Sequence, residues 1–180
     1  MEPQNVSSEE KVTTRSTGMR YGLFLGGISI DLFLIMALSG MKPDGPGRWI
    51  GVVFTFVIIF LAHKYYKQNG DGFMTIGQGV GIGFWTALTS SVISSIFTYV
   101  YVKFIDSGFI DMIKETQLEE MQKRGMSDEQ VEQAMKFASM FTSPEAILIF
   151  GLVFGIIGGV VIGLIISFFT QKKNPEASFN

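Results

Sequence analysis

The residue that most suggests chemistry in this 180-residue chain is a carboxylate, Asp31, which interrupts an otherwise apolar run. A carboxylate near the middle of a membrane span costs ~2.5 to 3.5 kcal/mol to insert, so it usually faces the bundle interior or water, or is protonated. Gly27 lies one helical turn earlier and would let a neighbouring helix approach the carboxyl. Asp31 is therefore a candidate proton or cation site. The alternative is a protonated side chain that hydrogen-bonds a hydroxyl on another helix and serves assembly only.

A row of hydroxyls lies on another apolar stretch, spaced four residues apart so that all of them share one helix face. Such a face can line a wet path or form hydrogen bonds across helices, and the second is the commoner use of small polar residues in membranes. Asp31 together with this row is the one polar constellation that the sequence offers. The row consists of Thr86, Ser90, Ser94 and Thr98.

Glycine recurs at every fourth position of the last apolar stretch, which predicts a groove where another backbone can approach closely. The groove serves either packing within the chain or self-association. It comprises Gly151, Gly155, Gly159 and Gly163. A second glycine-rich run, residues 77–83, does not fit a dinucleotide fingerprint and lacks the lysine of a phosphate loop. We interpret it as a flexible start of the third apolar helix.

Composition excludes most familiar catalytic and metal-binding chemistry. Cysteine is absent and His63 is the single histidine, which excludes disulfides, thiolate nucleophiles, Cys/His zinc sites and His-based triads. His63 stands beside lysine and tyrosine at the end of an apolar run, so we interpret it as an interfacial anchor. We expect no enzyme, no cofactor and no metal site, and a membrane-embedded hydrolase is the least favoured class.

The charge balance also excludes a nucleic-acid partner. The formal net charge is −2 and the isoelectric point is near 5.4, without a long run of Lys or Arg, whereas a nucleic-acid binder carries a basic patch. With 47% hydrophobic residues and a mean hydropathy of +0.35, the expected partner is the lipid bilayer.

Four apolar runs of bilayer length predict an all-α integral membrane protein, because roughly 20 helical residues cover ~30 Å of hydrocarbon. The runs are continuous rather than alternating, which favours helices over a β-barrel. A cleaved signal peptide is the alternative for the first run, since Ala37 to Ser39 offers small residues. The predicted spans are residues 21–40, 49–66, 80–104 and 144–169, within one transmembrane domain of residues 21–170.

Between the third and fourth spans, residues 106–143 become water-soluble in character. Apolar residues recur at three- and four-residue spacing from Ser127 to Phe141, as in an amphipathic helix, and Ser127 opens a capping box with Gln130. A less regular helix precedes it and ends at Gly125. The segment therefore predicts a soluble helical hairpin that caps the bundle or contacts a partner.

The polar ends of the chain, residues 1–20 and 171–180, are predicted to lie in the cytoplasm. An even number of spans places both termini on one side, and Lys and Arg near the span ends slightly favour that side. Most of both ends, Met1 to Met19 and Asn174 to Asn180, is predicted to be disordered. The acidic hairpin then lies outside the cytoplasm.

Short fragments along most of the chain resemble the domain of unknown function 4199 family, four-span membrane proteins known chiefly from bacteria. The resemblance implies a bacterial inner-membrane location and a four-span layout, but no activity and no catalytic residues. Asp31 matches no family motif, and Ser107 stands where the family tends to have proline. The fragments are Tyr21 to Leu23 with Gly26, then Tyr65, Gly70, Thr75, Gly77-Gln78, Ile105-Asp106, Phe109, Gly125 to Glu132 and Ser143-Pro144.

Two functional hypotheses follow. The first is a non-enzymatic multi-pass protein that acts through helix packing and association with itself or with a membrane-protein partner. The second is a small transporter or channel subunit that uses Asp31 and the hydroxyl face of the third span.

Overall fold

The computed structural model describes residues 12–39 and 48–175. Within those ranges the chain is helical, with one isolated antiparallel backbone pair between Met74 and Lys172 and no named strand. The helices are α1 (Thr14–Ser39), α2 (Arg48–Asn69), α3 (Ile76–Val100), α4 (Gly108–Lys123), α5 (Asp128–Ser139) and α6 (Pro144–Thr170). A single π-helical turn, Tyr101–Ile105, continues α3.

Four of these helices are long and apolar enough to cross a bilayer: α1, α2, α3 with its π-helical turn, and α6. The most apolar window of α6 has a mean hydropathy of 2.8. Large apolar side chains cover the outer surfaces of the four helices, including Phe24, Phe60 and Phe154. Such a continuous apolar exterior is typical of a protein whose solvent is lipid, and the predicted all-α, four-span fold class is confirmed.

Helix α3 lies at the centre of the bundle and packs along most of its length against both α1 and α6. It runs parallel to α1 and antiparallel to α6, because residue numbers at the contacts rise together with α1 and in opposite directions with α6. Helix α2 contacts α1 and α6 and approaches α3 less closely. The bundle therefore depends on the two faces of α3.

The contact between α3 and α6 is a ladder of small residues. A Cβ added to Gly83 would lie 2.9 Å from the Cα of Gly163, and a Cβ added to Gly163 would lie 3.0 Å from the Cα of Gly83. No residue larger than glycine fits at that crossing without moving a backbone. The ladder pairs Gly79 with Ser167, Gly83 with Gly163, Ala87 with Gly159, Ser91 with Gly155 and Ser95 with Gly151.

A second close contact joins α1 to the opposite side of α3. Added Cβ atoms at Gly18 and Gly22 would overlap Trp85 and Thr89, and one at Gly26 would press on Ile93. These glycines recur every fourth residue along α1, so they form one stripe. Small residues thus permit close approach on both sides of α3.

Two sequence expectations about helix starts are wrong. Residues 14–19, assigned to a disordered polar end, form the first turns of α1. Residues 77–83, interpreted as flexible, are helical because Thr75 and Gln78 form a capping box at the start of α3. The predictions for residues 1–11, for residues 176–180 and for the end of the first span at residue 40 lie outside the described residues.

The predicted capping box at Ser127 and the predicted helix end at Gly125 are confirmed. Ser127 and Gln130 form the capping box of α5, and the hydroxyl of Ser143 accepts the Ala146 N–H at 3.1 Å at the start of α6. Gly125 follows α4 with φ of +72°, a left-handed conformation that terminates helices. Helix α4 is held to the bundle by Phe109, whose ring lies 5.0 Å from that of Phe33 on α1.

Substitution of Gly159 by leucine tests the ladder. Gly159→Leu is expected to lower the free energy of unfolding by about 1 to 3 kcal/mol, because its Cβ would overlap Ala87 and force α3 and α6 apart. Gly158→Leu is the matched control, since a Cβ at Gly158 meets nothing within 4 Å. Unfolding in detergent micelles measures both, and equal losses in the two variants would contradict the ladder.

Candidate functional site

Asp31 lies on the outer face of α1, away from the other helices. Its neighbours on that face are Leu23, Gly27 and Ile35, all exposed. A Cβ added to Gly27 would meet nothing within 4 Å, so the approach that glycine permits is not used by any helix that the structure describes. No hydrogen bond or ion pair joins Asp31 to a residue within the described ranges.

The carboxyl lies toward the hairpin end of the bundle rather than at its middle. Contacts between α1 and α3 advance in step, and the last of them places Gly26 beside Ile93. Continuing this register puts Asp31 level with Thr98. The next residue, Tyr99, accepts a hydrogen bond from Lys103 through its hydroxyl. The charge therefore lies near the membrane interface, where the cost of a carboxylate is lower than at the bilayer centre.

The predicted hydroxyl row follows the inner side of α3. Thr86 and Ser90 are buried, while Ser94 and Thr98 are half-buried. The Thr86 Oγ1 atom has no hydrogen-bond partner among the described residues. No hydrogen bond connects any of these hydroxyls to Asp31, so the structure gives the carboxyl and the row different surroundings: one faces outward and the other faces the packed interior.

The predicted glycine face of the last span is occupied within the chain. Gly151 and Gly155 lie against the hydroxyls of Ser95 and Ser91, and the two glycines that follow lie against α3 in the same ladder. On this face the four glycines lie along α3, although Gly151 and Gly155 remain exposed.

A buried histidine that the sequence placed at the interface forms the main polar contact between helices. His63 is fully buried, with its Nδ1 atom 2.8 Å from the Thr170 Oγ1 atom and its Nε2 atom 3.0 Å from the carbonyl oxygen of Gly79. One side chain therefore links α2 to the start of α3 and to the end of α6. The interpretation of His63 as an interfacial anchor is wrong.

The partners of the ring restrict where its protons lie. A carbonyl oxygen only accepts, so Nε2 donates to Gly79. In the neutral ring, Nδ1 accepts from the hydroxyl of Thr170. In the protonated ring, Nδ1 donates to that hydroxyl, which then donates to the carbonyl oxygen of Ile166 at 2.8 Å. The same arrangement of heavy atoms accommodates both forms.

We call the set His63, Lys67, Gly79, Ser167 and Thr170 the histidine cluster. The Lys67 ammonium donates to the carbonyl oxygen of Thr170 at 2.7 Å. The Ser167 hydroxyl donates to the carbonyl oxygen of Gly163 at 2.6 Å. Both Ser167 and the imidazole are thus engaged with backbone groups. The Ser167 hydroxyl is not hydrogen-bonded to the His63 ring, and the hydrogen bonds of the cluster link α2, α3 and α6.

Beside the histidine cluster, two segments outside the helices are joined by backbone hydrogen bonds. Met74 and Lys172 exchange two backbone hydrogen bonds of 2.9 Å, which ties the turn between α2 and α3 to the segment after α6. An open cleft of about 640 Å³ lies at this end, lined by Asp71 and by residues 73–78 and 171–174. Within the ranges that the structure describes, no group of three or more His, Asp or Glu side chains could hold a metal ion.

Sequence reasoning could have found the histidine cluster from one signal. His63 follows Ile59 by one turn and is adjacent to Ala62, and all three are buried, so the residue belongs to the inward stripe of α2. Lys64, the next residue in the chain, is exposed on another face of the helix. Periodicity, rather than local composition, indicates its environment.

Removal of the His63 imidazole tests whether its hydrogen bonds to Thr170 and Gly79 stabilise the bundle. His63→Leu is expected to lower the free energy of unfolding by about 1 to 2 kcal/mol, because two hydrogen bonds between helices are lost and their partners stay buried. Thr170→Val should lower it by less, and the double variant should fall short of the sum because the two side chains share one bond. Unfolding in micelles measures this cycle, with exposed Lys64→Gln as the control. Strict additivity would contradict the shared bond.

Comparison with known proteins gives one family. A family model described as a protein of unknown function (DUF4199) matches residues 20–172, which include most of α1 and all the other helices. No curated protein matches the chain, and no solved structure matches it.

Proposed function

The chain belongs to the DUF4199 family of proteins of unknown function, and from this starting point we propose that it is a non-enzymatic, multi-pass protein of the bacterial inner membrane. It acts by associating with another membrane protein through the outer face of α1. Four apolar helices support the membrane location. The histidine cluster, whose groups are occupied by backbone partners, gives no support to catalysis.

The observation that carries the proposal is the outward position of Asp31. An ionisable residue in a span normally faces the bundle interior, yet this carboxyl lies beside Leu23 and Ile35 on an apolar exterior. Gly27, one turn away, leaves open space for a second helix. A partner helix lying against Gly27 would supply the hydrogen bond that none of the described residues provides.

Charge complementarity favours a different chain over a second copy. Two copies inserted in the same direction and packed through this face would bring one Asp31 carboxyl against the other, which is unfavourable unless a proton is shared. A helix carrying a hydroxyl, lysine or arginine donor would instead satisfy the carboxyl. The partner is therefore a membrane helix with a hydrogen-bond donor near the hairpin-side interface.

Photo-crosslinking in native membranes tests the association. A photoreactive residue at Ile35 should give a discrete product that Asp31→Leu abolishes and Asp31→Asn retains in part, because asparagine keeps hydrogen-bonding capacity. The same residue at Val153, on the outer side of α6, is the control and should give none. A product unchanged by Asp31→Leu, or a dimer of the purified chain, would contradict the proposal.

The transport hypothesis receives less support from the geometry. A path along the hydroxyl row would need space between α3 and its neighbours, but the ladder leaves no room for a methyl group at Gly83 or Gly159. Asp31 would also have to reach that row from the outer face of α1. These two features favour the association over a channel.

The proposal includes an orientation with both termini in the cytoplasm and the α4–α5 hairpin outside. Arg20, Lys64 and Lys67 lie toward the end of the bundle that carries the termini, as the excess of cations on cytoplasmic loops requires. The hairpin, in contrast, is acidic.

Cysteine labelling tests this orientation, because the natural chain has no cysteine. Lys123→Cys, at the tip of the hairpin, should react with a membrane-impermeant maleimide added to intact spheroplasts. Lys173→Cys, after α6, should react only once the membrane is opened. The reverse pattern would invert the topology, and labelling of both sites in intact spheroplasts would contradict the crossing of the membrane by α6.

A further inference from the structure

We propose that the C-terminal end of α5 is inserted into the headgroup region of the lipid bilayer, with Phe137 and Met140 as its anchors. The inference rests on the membrane location proposed above and adds a second lipid contact outside the four spans. The ligand is a lipid surface, and the hairpin is held to it rather than suspended in water.

The two anchors lie off the half-buried face of α5. Helix α5 packs against α4, and its half-buried face includes Ala134 and Ala138. Phe137 and Met140 lie off that face and are 65% and 69% exposed. Side chains of this size and exposure need a cover that α4 does not provide.

Chain connectivity places the anchors at the membrane boundary. Helix α5 ends at Ser139 and α6 begins at Pro144, so only four residues separate a soluble helix from a span. Glu145, in the first turn of α6, forms an ion pair of 2.6 Å with Lys103. Lysine at the end of a span is typical of headgroup depth, and Phe141 precedes Glu145 by four residues.

Aromatic contacts make the end of α5 continuous with the outer surface of α6. The ring of Phe141 lies 5.1 Å from that of Phe137 and 4.8 Å from that of Phe150 on α6. Phe150 in turn stacks on Phe154 at 5.9 Å, and Phe154 is 64% exposed on the outer side of the span. This continuity with a lipid-facing surface favours lipid over a protein partner as the cover.

A neighbouring helix end presents the same type of surface. Phe104 and Ile105, in the π-helical turn after α3, are 73% and 67% exposed, and Lys103 beside them holds Glu145. Apolar side chains at two helix ends thus share one level of the bundle, as in an interfacial belt.

The attraction between α5 and the lipid surface is hydrophobic rather than electrostatic. The acidic residues of α5, Asp128, Glu129 and Glu132, occupy its first half, and Lys136 is its one cation. A helix with this charge pattern gains nothing from anionic lipids, unlike basic interfacial helices. Insertion should therefore occur in neutral phosphatidylcholine and should not depend on salt.

Site-directed spin labelling of the cysteine-free full chain tests the proposal in phosphatidylcholine vesicles. Nitroxides are placed singly at Phe137, at Met140 and, as the matched control, at Glu132 on another face of the same helix. Collision with oxygen, which concentrates in lipid, is compared with collision with a water-soluble nickel chelate. The ratio should be several-fold higher at both anchors than at Glu132, and it should be unchanged by salt or by added anionic lipid.

Three results would overturn the inference. The first is an oxygen-to-nickel collision ratio at the anchors equal to that at Glu132, and the second is a ratio at the anchors that falls with salt. The third is protection of the anchors from both reagents, which would indicate that protein covers them. A nitroxide at Val153 of α6 distinguishes a failure of this inference from a failure of the proposed membrane location. If Val153 also favours the nickel chelate, the membrane location itself is wrong; if Val153 favours oxygen while the anchors do not, only the lipid contact of α5 is lost.

Discussion

The structure depends on close backbone approach along both sides of α3. Lipid offers apolar side chains the same surroundings as a protein interior, so helices in a bilayer associate through packing and hydrogen bonds rather than through the hydrophobic effect. The glycine stripe of α1 and the small-residue ladder of α6 provide that packing. Larger side chains are consequently directed outward, and the exterior of the bundle is lined by leucine, isoleucine and phenylalanine.

This packing also determines which polar side chains lie inside the bundle and which lie on its surface. Two buried hydroxyls of α6 bond carbonyls one turn earlier in their own helix, Ser167 with Gly163 and Thr170 with Ile166. His63 is the exception, bonding two other helices at the end of the bundle. Asp31 has no place in such an interior and lies outside. The two contacts that we propose are therefore peripheral: a partner helix on the outer face of α1 and lipid at the end of α5.

Features with a local physical cause were predictable. The capping residues Ser127 and Ser143 act through hydrogen bonds within one turn, and Gly125 ends α4 through its own backbone conformation. The start of α1 and the helicity of residues 77–83 were missed because glycine and polar residues lower intrinsic helix propensity. Contact with α3 in one case, and with α6 in the other, overrides that preference. The buried environment of His63 was missed for the same reason, since it is set by helices distant in sequence.

The sequence by itself determined the class of the protein, because the length and apolarity of each run are sufficient to specify a span and the helix caps are local. Only the tertiary structure decided which face of each helix turns inward. That choice placed Asp31 on the exterior, the glycines of α6 against α3, and His63 between three helices. The physical reason is that a side chain's environment depends on the register between helices, and this register is fixed by steric fit along their whole length.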